Sequence, residues 1–71
     1  MKKESLQLVK QIYERLKFNV AHPDLEELFG AAQAQATFML IYMGEENPNK
    51  QEKYTMMSEE ISKITFKQLY S

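Results

Sequence analysis

Residues 29–44 read FGAAQAQATFMLIYMG, a stretch without one charged side chain. The second half of this stretch, residues 38–43, is apolar at every position. A surface helix keeps a polar side, so a helix that lacks one has to be covered from more than one direction. The stretch is therefore either the central helix of a small bundle or the seam along which copies of the chain associate.

Apolar side chains at three- and four-residue spacing predict three helices, over about residues 4–20, 24–43 and 49–69. On each helix these side chains form a stripe that is expected to face the core. The stripe consists of Leu6, Val9, Ile12, Tyr13, Leu16 and Val20 on the first helix, of Leu25, Leu28, Phe29, Ala32, Ala36, Met39, Leu40 and Met43 on the second, and of Tyr54, Met57, Ile61 and Ile64 on the third. The middle helix carries a second apolar face, formed by Ala31, Ala34, Phe38, Ile41 and Tyr42, and only Glu26, Gly30, Gln33 and Thr37 form a polar or small third side. The middle helix thus has more apolar surface than one neighbour covers.

Capping signals set the predicted helix ends. Asp24 and Asn49 are each followed three residues later by a glutamate, as in a capping box, so each is an expected N-cap. Residues 45–49 have turn composition, and Gly44 is the expected C-terminal cap of the middle helix. A glycine inside a helix costs about 1 kcal/mol relative to alanine, so Gly30 predicts a close helix crossing or a kink.

The end of the third helix is open to a second interpretation. Residues 64–67 alternate between apolar and polar side chains, as a strand does. The alternatives for the final turns of the predicted helix are a bend, a frayed end, or pairing with another segment. We favour a helix because the chain offers no second strand for a sheet. The fold class predicted for residues 1–71 is a single all-α domain, a three-helix bundle made of a helical hairpin plus a third helix and completed by self-association.

Size and composition support an association-dependent protein. A chain of 71 residues buries only about 60% of its unfolded surface and is marginally stable without reinforcement. It contains no cysteine, so disulfides and thiolate zinc sites are excluded and association is the expected reinforcement. The middle helix is acidic at both ends and its neighbours are basic or balanced, which predicts complementary charges at the rim.

The residues offer little chemistry, so we expect no enzyme activity, no cofactor and no metal site. His22 lies near Asp24 and Glu26, but a helical metal site needs carboxylates from several helices, usually in Glu-x-x-His pairs, and the chain has none. The two glycines cannot form a phosphate-binding loop. A net charge of −1 disfavours nucleic-acid binding. The apolar stretch is too short to span a membrane, and no signal peptide is recognisable, so a cytoplasmic location is expected.

The chain has more methionine and aromatic side chains than the core of three short helices is expected to hold. Methionine and tyrosine recur on binding surfaces, so one interpretation is an interaction surface; the other, equally weighted, is that these side chains fill the core. The candidate interaction surface consists of Phe38, Tyr42, Met43, Met56, Phe66 and Tyr70. Its expected occupant is a second copy, most simply in a homodimer, or another protein.

The chain opens with Met1-Lys2-Lys3 and continues with amphipathic helices joined by polar turns. In this general architecture it is similar to the small helical bacteriocin-immunity proteins of Gram-positive bacteria, although it has no clear fourth helix. The resemblance implies a monomer that acts near the membrane and protects a producer by recognising a toxin-occupied receptor. Small phage and mobile-element proteins share the same outline. Two hypotheses therefore stand: a non-catalytic interaction or regulatory module of bacterial, phage or mobile-element origin, and an immunity-type protein.

Overall fold

The computed structural model describes residues 2–44 and 47–70, and these ranges contain helices and no strand. The helices span Lys2–Phe18 (α1), Leu25–Gly44 (α2) and Pro48–Lys63 (α3), and a 3-10 segment follows at Phe66–Tyr70. Helix α2 packs against both α1 and α3, while α1 also contacts α3 and the 3-10 segment. The predicted all-α fold with three helices is confirmed.

The core lies where the three helices meet, and most of it comes from the predicted stripes. The buried apolar side chains are Val9, Ile12, Tyr13, Ala32, Ala36, Leu40, Met57, Ile61, Ile64 and Leu69. Each large one contributes about 1.5–3 kcal/mol by leaving water. Leu69 was not among the expected core residues, and it enters the core because the chain turns back after α3.

Helix α1 ends two residues earlier than the predicted residue 20. The side-chain amide of Asn19 donates a hydrogen bond to the Arg15 carbonyl (3.0 Å), and the Asn19 N–H donates to the Leu16 carbonyl (3.2 Å). These bonds satisfy carbonyls that the end of a helix leaves without partners. Val20 therefore lies outside the helix and is 41% exposed, so its assignment to the core stripe was wrong.

The start of α2 agrees with its predicted cap. The Asp24 carboxylate accepts a hydrogen bond from the Glu27 N–H at 3.3 Å, and the Asp24 carbonyl accepts the first helical bond from the Leu28 N–H at 3.0 Å. Asp24 is thus the N-cap, as expected. At the other end α2 extends to Gly44. The predicted turn and the C-cap geometry of Gly44 fall in part on residues 45 and 46, which lie outside the described ranges.

The N-cap of α3 is Asn47, not the predicted Asn49. The Asn47 side-chain oxygen accepts hydrogen bonds from the Asn49 N–H (3.0 Å) and the Lys50 N–H (3.4 Å). Pro48 then occupies the first helical position, where its missing N–H costs nothing. Asn47 and Asn49 flank the proline. Asn47 is the cap because it precedes Pro48 and so leaves the proline at the first helical position.

Helix α3 ends at Lys63, so the prediction of a helix through residue 69 was wrong. Ile64 is extended (φ −68°, ψ 133°) and buried, and the 3-10 segment begins at Phe66. Continuing the helix would carry Leu69 about 9 Å beyond Lys63 along the axis. The bend instead returns Leu69 to the core. The gain in burial offsets the lost helical hydrogen bonds.

The bent end of α3 is held by a glutamine that was expected on the polar side of α2. The side-chain amide of Gln33 donates hydrogen bonds to the carbonyls of Ile61 (2.8 Å) and Ile64 (3.0 Å). Gln33 is half-buried, as is Thr37 one turn later. The third side of α2 is therefore divided: its second half, at Gln33 and Thr37, faces α3, while its first half is exposed as expected.

A chain of aromatic rings holds the 3-10 segment against the helices. The Phe66 ring meets the rings of Tyr13 and Phe29 edge to face, with 5.6 Å between centroids in both pairs. The Tyr70 ring meets Tyr13 at 6.3 Å. Such pairs are each worth about 0.5–1.5 kcal/mol beyond their burial. The rings thereby join α1, α2 and the C-terminal segment.

Polar contacts reinforce the same segment at the surface of α1. The Tyr70 hydroxyl donates a hydrogen bond to the Glu14 carboxylate, and this bond, with smaller contributions from burial and the nearby charge, raises the pKa of Tyr70 to about 12. The Lys10 ammonium lies 4.8 Å from the centroid of the Tyr70 ring. Tyr70 is thus directed towards α1.

An ion pair joins the two outer helices. The Lys53 ammonium lies 3.4 Å from the Glu4 carboxylate, and both side chains are about half exposed. An exposed pair contributes about 0–1 kcal/mol. The pair joins α1 to α3, whereas the charge pattern predicted complementary pairs along the rim of α2. It joins the first turn of α1 to the first half of α3.

Gly30 does not mark a close helix crossing. A Cβ atom added at Gly30 meets nothing within 4 Å, and the residue is exposed with an ordinary helical backbone. The expected close crossing was therefore wrong. No contact requires a glycine here.

We expect Gly30→Ala to raise the free energy of unfolding by about 0.5–1 kcal/mol, because alanine restricts the unfolded chain and fits the open space. Urea unfolding followed by circular dichroism at a few micromolar measures this gain. A lower stability would mean that the position is crowded in solution.

Candidate interaction surface

One side of α2 faces solvent over most of its length. We call this side the α2 outer face; its exposed residues are Ala31, Ala34, Gln35, Phe38, Ile41 and Tyr42. None of them carries a charge. The α2 outer face is therefore a continuous uncharged strip on the surface of a small helical bundle.

Large apolar side chains dominate the carboxyl half of this strip. Phe38 is 70% exposed, Ile41 65% and Tyr42 71%. Single exposed apolar residues are common in soluble proteins, but adjoining ones mark contact sites. These three lie within about one helical turn, so water contacts a connected apolar patch.

The exposure follows from how the core uses α2. Ala32, Ala36 and Leu40 are buried, and they lie on one side of the helix at four-residue spacing. Successive residues are 100° apart, so Phe38 and Tyr42 each lie about 160° from Leu40. Helices α1 and α3 cover the inner side and the flanks. Nothing in the described ranges covers the opposite side.

A shallow groove between α2 and α3 extends the α2 outer face. It consists of two adjoining depressions of about 190 and 460 Å³, and Ile41 lines both. The α3 side presents Gln51, Thr55, Ser58 and Ser62. No Asp, Glu, Lys, Arg or His lines either depression. The surface thus has an apolar centre and a neutral, hydroxyl-rich edge, as the core of a protein interface requires.

The structure brings together two of the six sequence-predicted interaction residues, because Phe38 and Tyr42 lie on the α2 outer face. Met43 is 53% exposed, but it lies on the side of α2 that carries the buried residues of this helix. Met56 is exposed, but it does not line the groove. It lies about 100° around α3 from Thr55, which does line the groove, so it is on a different side of that helix.

The other two predicted residues lie elsewhere in the fold. Phe66 is half-buried between Tyr13 and Phe29, so its ring belongs to the packing of the bundle. Tyr70 is about half exposed, but it contacts Glu14 on α1. Both positions depend on the bend after Lys63, which the sequence analysis left open as an alternative to the favoured helix.

Sequence reasoning missed part of the surface. Ile41 was recognised on the second apolar face but was not named as a site residue, although its exposure is close to that of Phe38. The α3 edge, with Thr55 and Ser58, carried no apolar signal at all. Only the packing of α3 beside α2 identifies those hydroxyl residues as part of the same surface.

A metal site and a membrane-spanning helix are the other features to consider among the described residues. His22 lies exposed in the connection between α1 and α2. No group of three or more potential metal ligands converges among residues 2–44 and 47–70. Within the same ranges, no helix combines the length and apolar character needed to cross a bilayer.

Comparison with models of known protein families, with curated protein sequences and with solved structures finds no match to this chain. The α2 outer face is therefore the feature from which a function is inferred.

Proposed function

We propose that the protein is a non-catalytic interaction or regulatory module that binds through the α2 outer face. One observation carries the proposal: Phe38, Ile41 and Tyr42 are each more than 60% exposed and lie next to one another, on a helix side that is uncharged from residue 31 onward. Exposing the apolar area of such a patch to water costs a free energy of about 25 cal/mol per Å². A protein partner removes that cost, and the neutral groove edge leaves no charge to desolvate.

Self-association is the form of binding that we favour, with a homodimer as the simplest assembly. Small domains often supplement a limited core by oligomerisation. The three large side chains offer about 400 Å² per copy, taking 150–250 Å² for each full side chain. With the neighbouring small residues the contact reaches about 1,000 Å² in total, which is typical of weak, reversible association. The immunity-type function stays a prediction from the resemblance.

Tyr42→Asp is the substitution that tests the proposed surface. It places an unpaired carboxylate in the apolar contact, and a two-fold interface carries the change twice. We expect the dissociation constant to rise at least about 100-fold, since leaving two carboxylates unpaired in an apolar contact costs more than about 2.7 kcal/mol. The variant should remain folded because Tyr42 is 71% exposed. Light scattering coupled to size-exclusion chromatography measures the mass, and circular dichroism measures the fold.

Two controls separate the surface from general effects of charge. Tyr42→Phe keeps the ring and should associate like the unmodified protein. Gln11→Asp adds the same charge at an exposed position of α1, outside the proposed surface, and should leave the mass unchanged. Unfolding of Tyr42→Asp would show that the residue serves the core instead. Undiminished association of that variant would assign the contact to another surface.

A further inference from the structure

The α2 outer face contains a regular seam. Ala31, Gln35, Phe38 and Tyr42 are all exposed, and they follow one another at separations of four, three and four residues. This is the spacing at which two helices pack side by side with a slight left-handed twist. The seam is about 17 Å long, at 1.5 Å per residue. Its geometry suits another helix better than a compact ligand.

The seam is also graded in size. Its amino-terminal half carries the small or slender Ala31 and Gln35, and its carboxyl half carries the aromatic Phe38 and Tyr42. A contact between identical surfaces across a two-fold axis pairs residue i with j and j with i. An antiparallel axis between residues 36 and 37 pairs Tyr42 with Ala31 of the second copy and Phe38 with Gln35 of the second copy. Every large side chain then meets a smaller one.

The parallel alternative packs poorly. It places each aromatic ring against its own counterpart and each Ala31 against another Ala31, so the helices are forced apart at one end and leave a gap at the other. Close packing without voids is what holds such a seam together. Antiparallel helices additionally place opposite ends of their dipoles together. Size grading and dipoles favour the same orientation.

We propose that the occupant of the α2 outer face is a second copy of this chain, with the two α2 helices antiparallel about an axis between residues 36 and 37. This inference rests on the proposed function and adds the partner, the orientation and the register. The contact area of about 1,000 Å² places the association in the weak class. We therefore expect a dissociation constant in the micromolar range.

Distances between spin labels test the orientation. The chain has no cysteine, so Glu27→Cys and Met39→Cys each give a single labelling site, and both positions are exposed. In the antiparallel dimer, two labels at residue 27 lie about 28 Å apart along the axis, and two at residue 39 about 8 Å apart. Pulsed electron–electron double resonance of each labelled protein should give a distance of about 30 Å between the two labels at residue 27. For the two labels at residue 39 it should give a distance below about 20 Å.

Each other outcome has a distinct meaning. Short distances at both sites indicate a parallel dimer, which overturns this inference and leaves the proposed contact surface intact. Distances beyond about 40 Å at both sites assign the dimer to another surface and overturn both proposals. A monomer by light scattering at several hundred micromolar, with no intermolecular signal, overturns self-association altogether. Dilution with excess unlabelled protein should remove the signal and confirms that it is intermolecular.

Discussion

Tyr13→Ala is expected to lower the free energy of unfolding by about 3–5 kcal/mol. The Tyr13 side chain is only 1% exposed, and its ring contacts those of Phe66 and Tyr70. The substitution opens a cavity at the point where α1 holds the C-terminal segment. At roughly 0.05–0.15 kcal/mol per residue, a chain of 71 residues has a total stability of about 4–11 kcal/mol, so we expect a substantial unfolded fraction at 37 °C. Urea unfolding monitored by circular dichroism at a few micromolar measures the loss.

Two aromatic controls sharpen this prediction. Tyr13→Phe preserves the ring and its edge-to-face contacts, so most of the stability should remain. Phe18→Ala removes an aromatic ring from the same helix where it is 90% exposed, and it should change the stability by less than about 0.5 kcal/mol. Equal losses for Tyr13→Ala and Phe18→Ala would contradict the assignment of Tyr13 to the core.

Gln33→Met is expected to lower the free energy of unfolding by about 1–3 kcal/mol. Methionine has a similar length but no N–H group, so the carbonyls of Ile61 and Ile64 lose the donor at 2.8 and 3.0 Å. The bend after α3 should loosen first. Hydrogen exchange measured by NMR is expected to show faster exchange in the 3-10 segment, together with the lower urea midpoint.

Gln11→Met is the matched control for this change. Gln11 is exposed on α1, so the same chemical substitution there should leave both the stability and the exchange rates nearly unchanged. If Gln33→Met were equally neutral, the two hydrogen bonds would contribute nothing measurable, and the bend would be held by the burial of Leu69 and Phe66 alone.

The helices were predictable because their core faces repeat with helical spacing. Ile12, Ala36 and Ile61 were each assigned to a buried stripe, and each is buried. Residues near the helix ends were harder, since the end of α1 depends on the Asn19 side chain and the end of α3 depends on Gln33. A glutamine on a helix has the same sequence pattern whether it faces solvent or caps another helix. Only the position of the neighbouring helix distinguishes the two.

The candidate surface was only partly predictable, for a related reason. Phe38 and Tyr42 belong to a second apolar face that the local pattern of α2 already shows. The placement of Phe66 and Tyr70 depends on long-range contacts with Tyr13 and Glu14, which follow the bend at Ile64. No periodicity encodes such a bend, so the two residues were grouped with a surface to which they do not belong.

The central claim is that the α2 outer face makes the protein associate. Sedimentation equilibrium of the unmodified chain, from about ten to several hundred micromolar, tests this claim most directly. The claim predicts that the mean mass rises from that of the 8.4 kDa chain towards twice that value as the concentration increases. A mass that stays at 8.4 kDa over the whole range would contradict it.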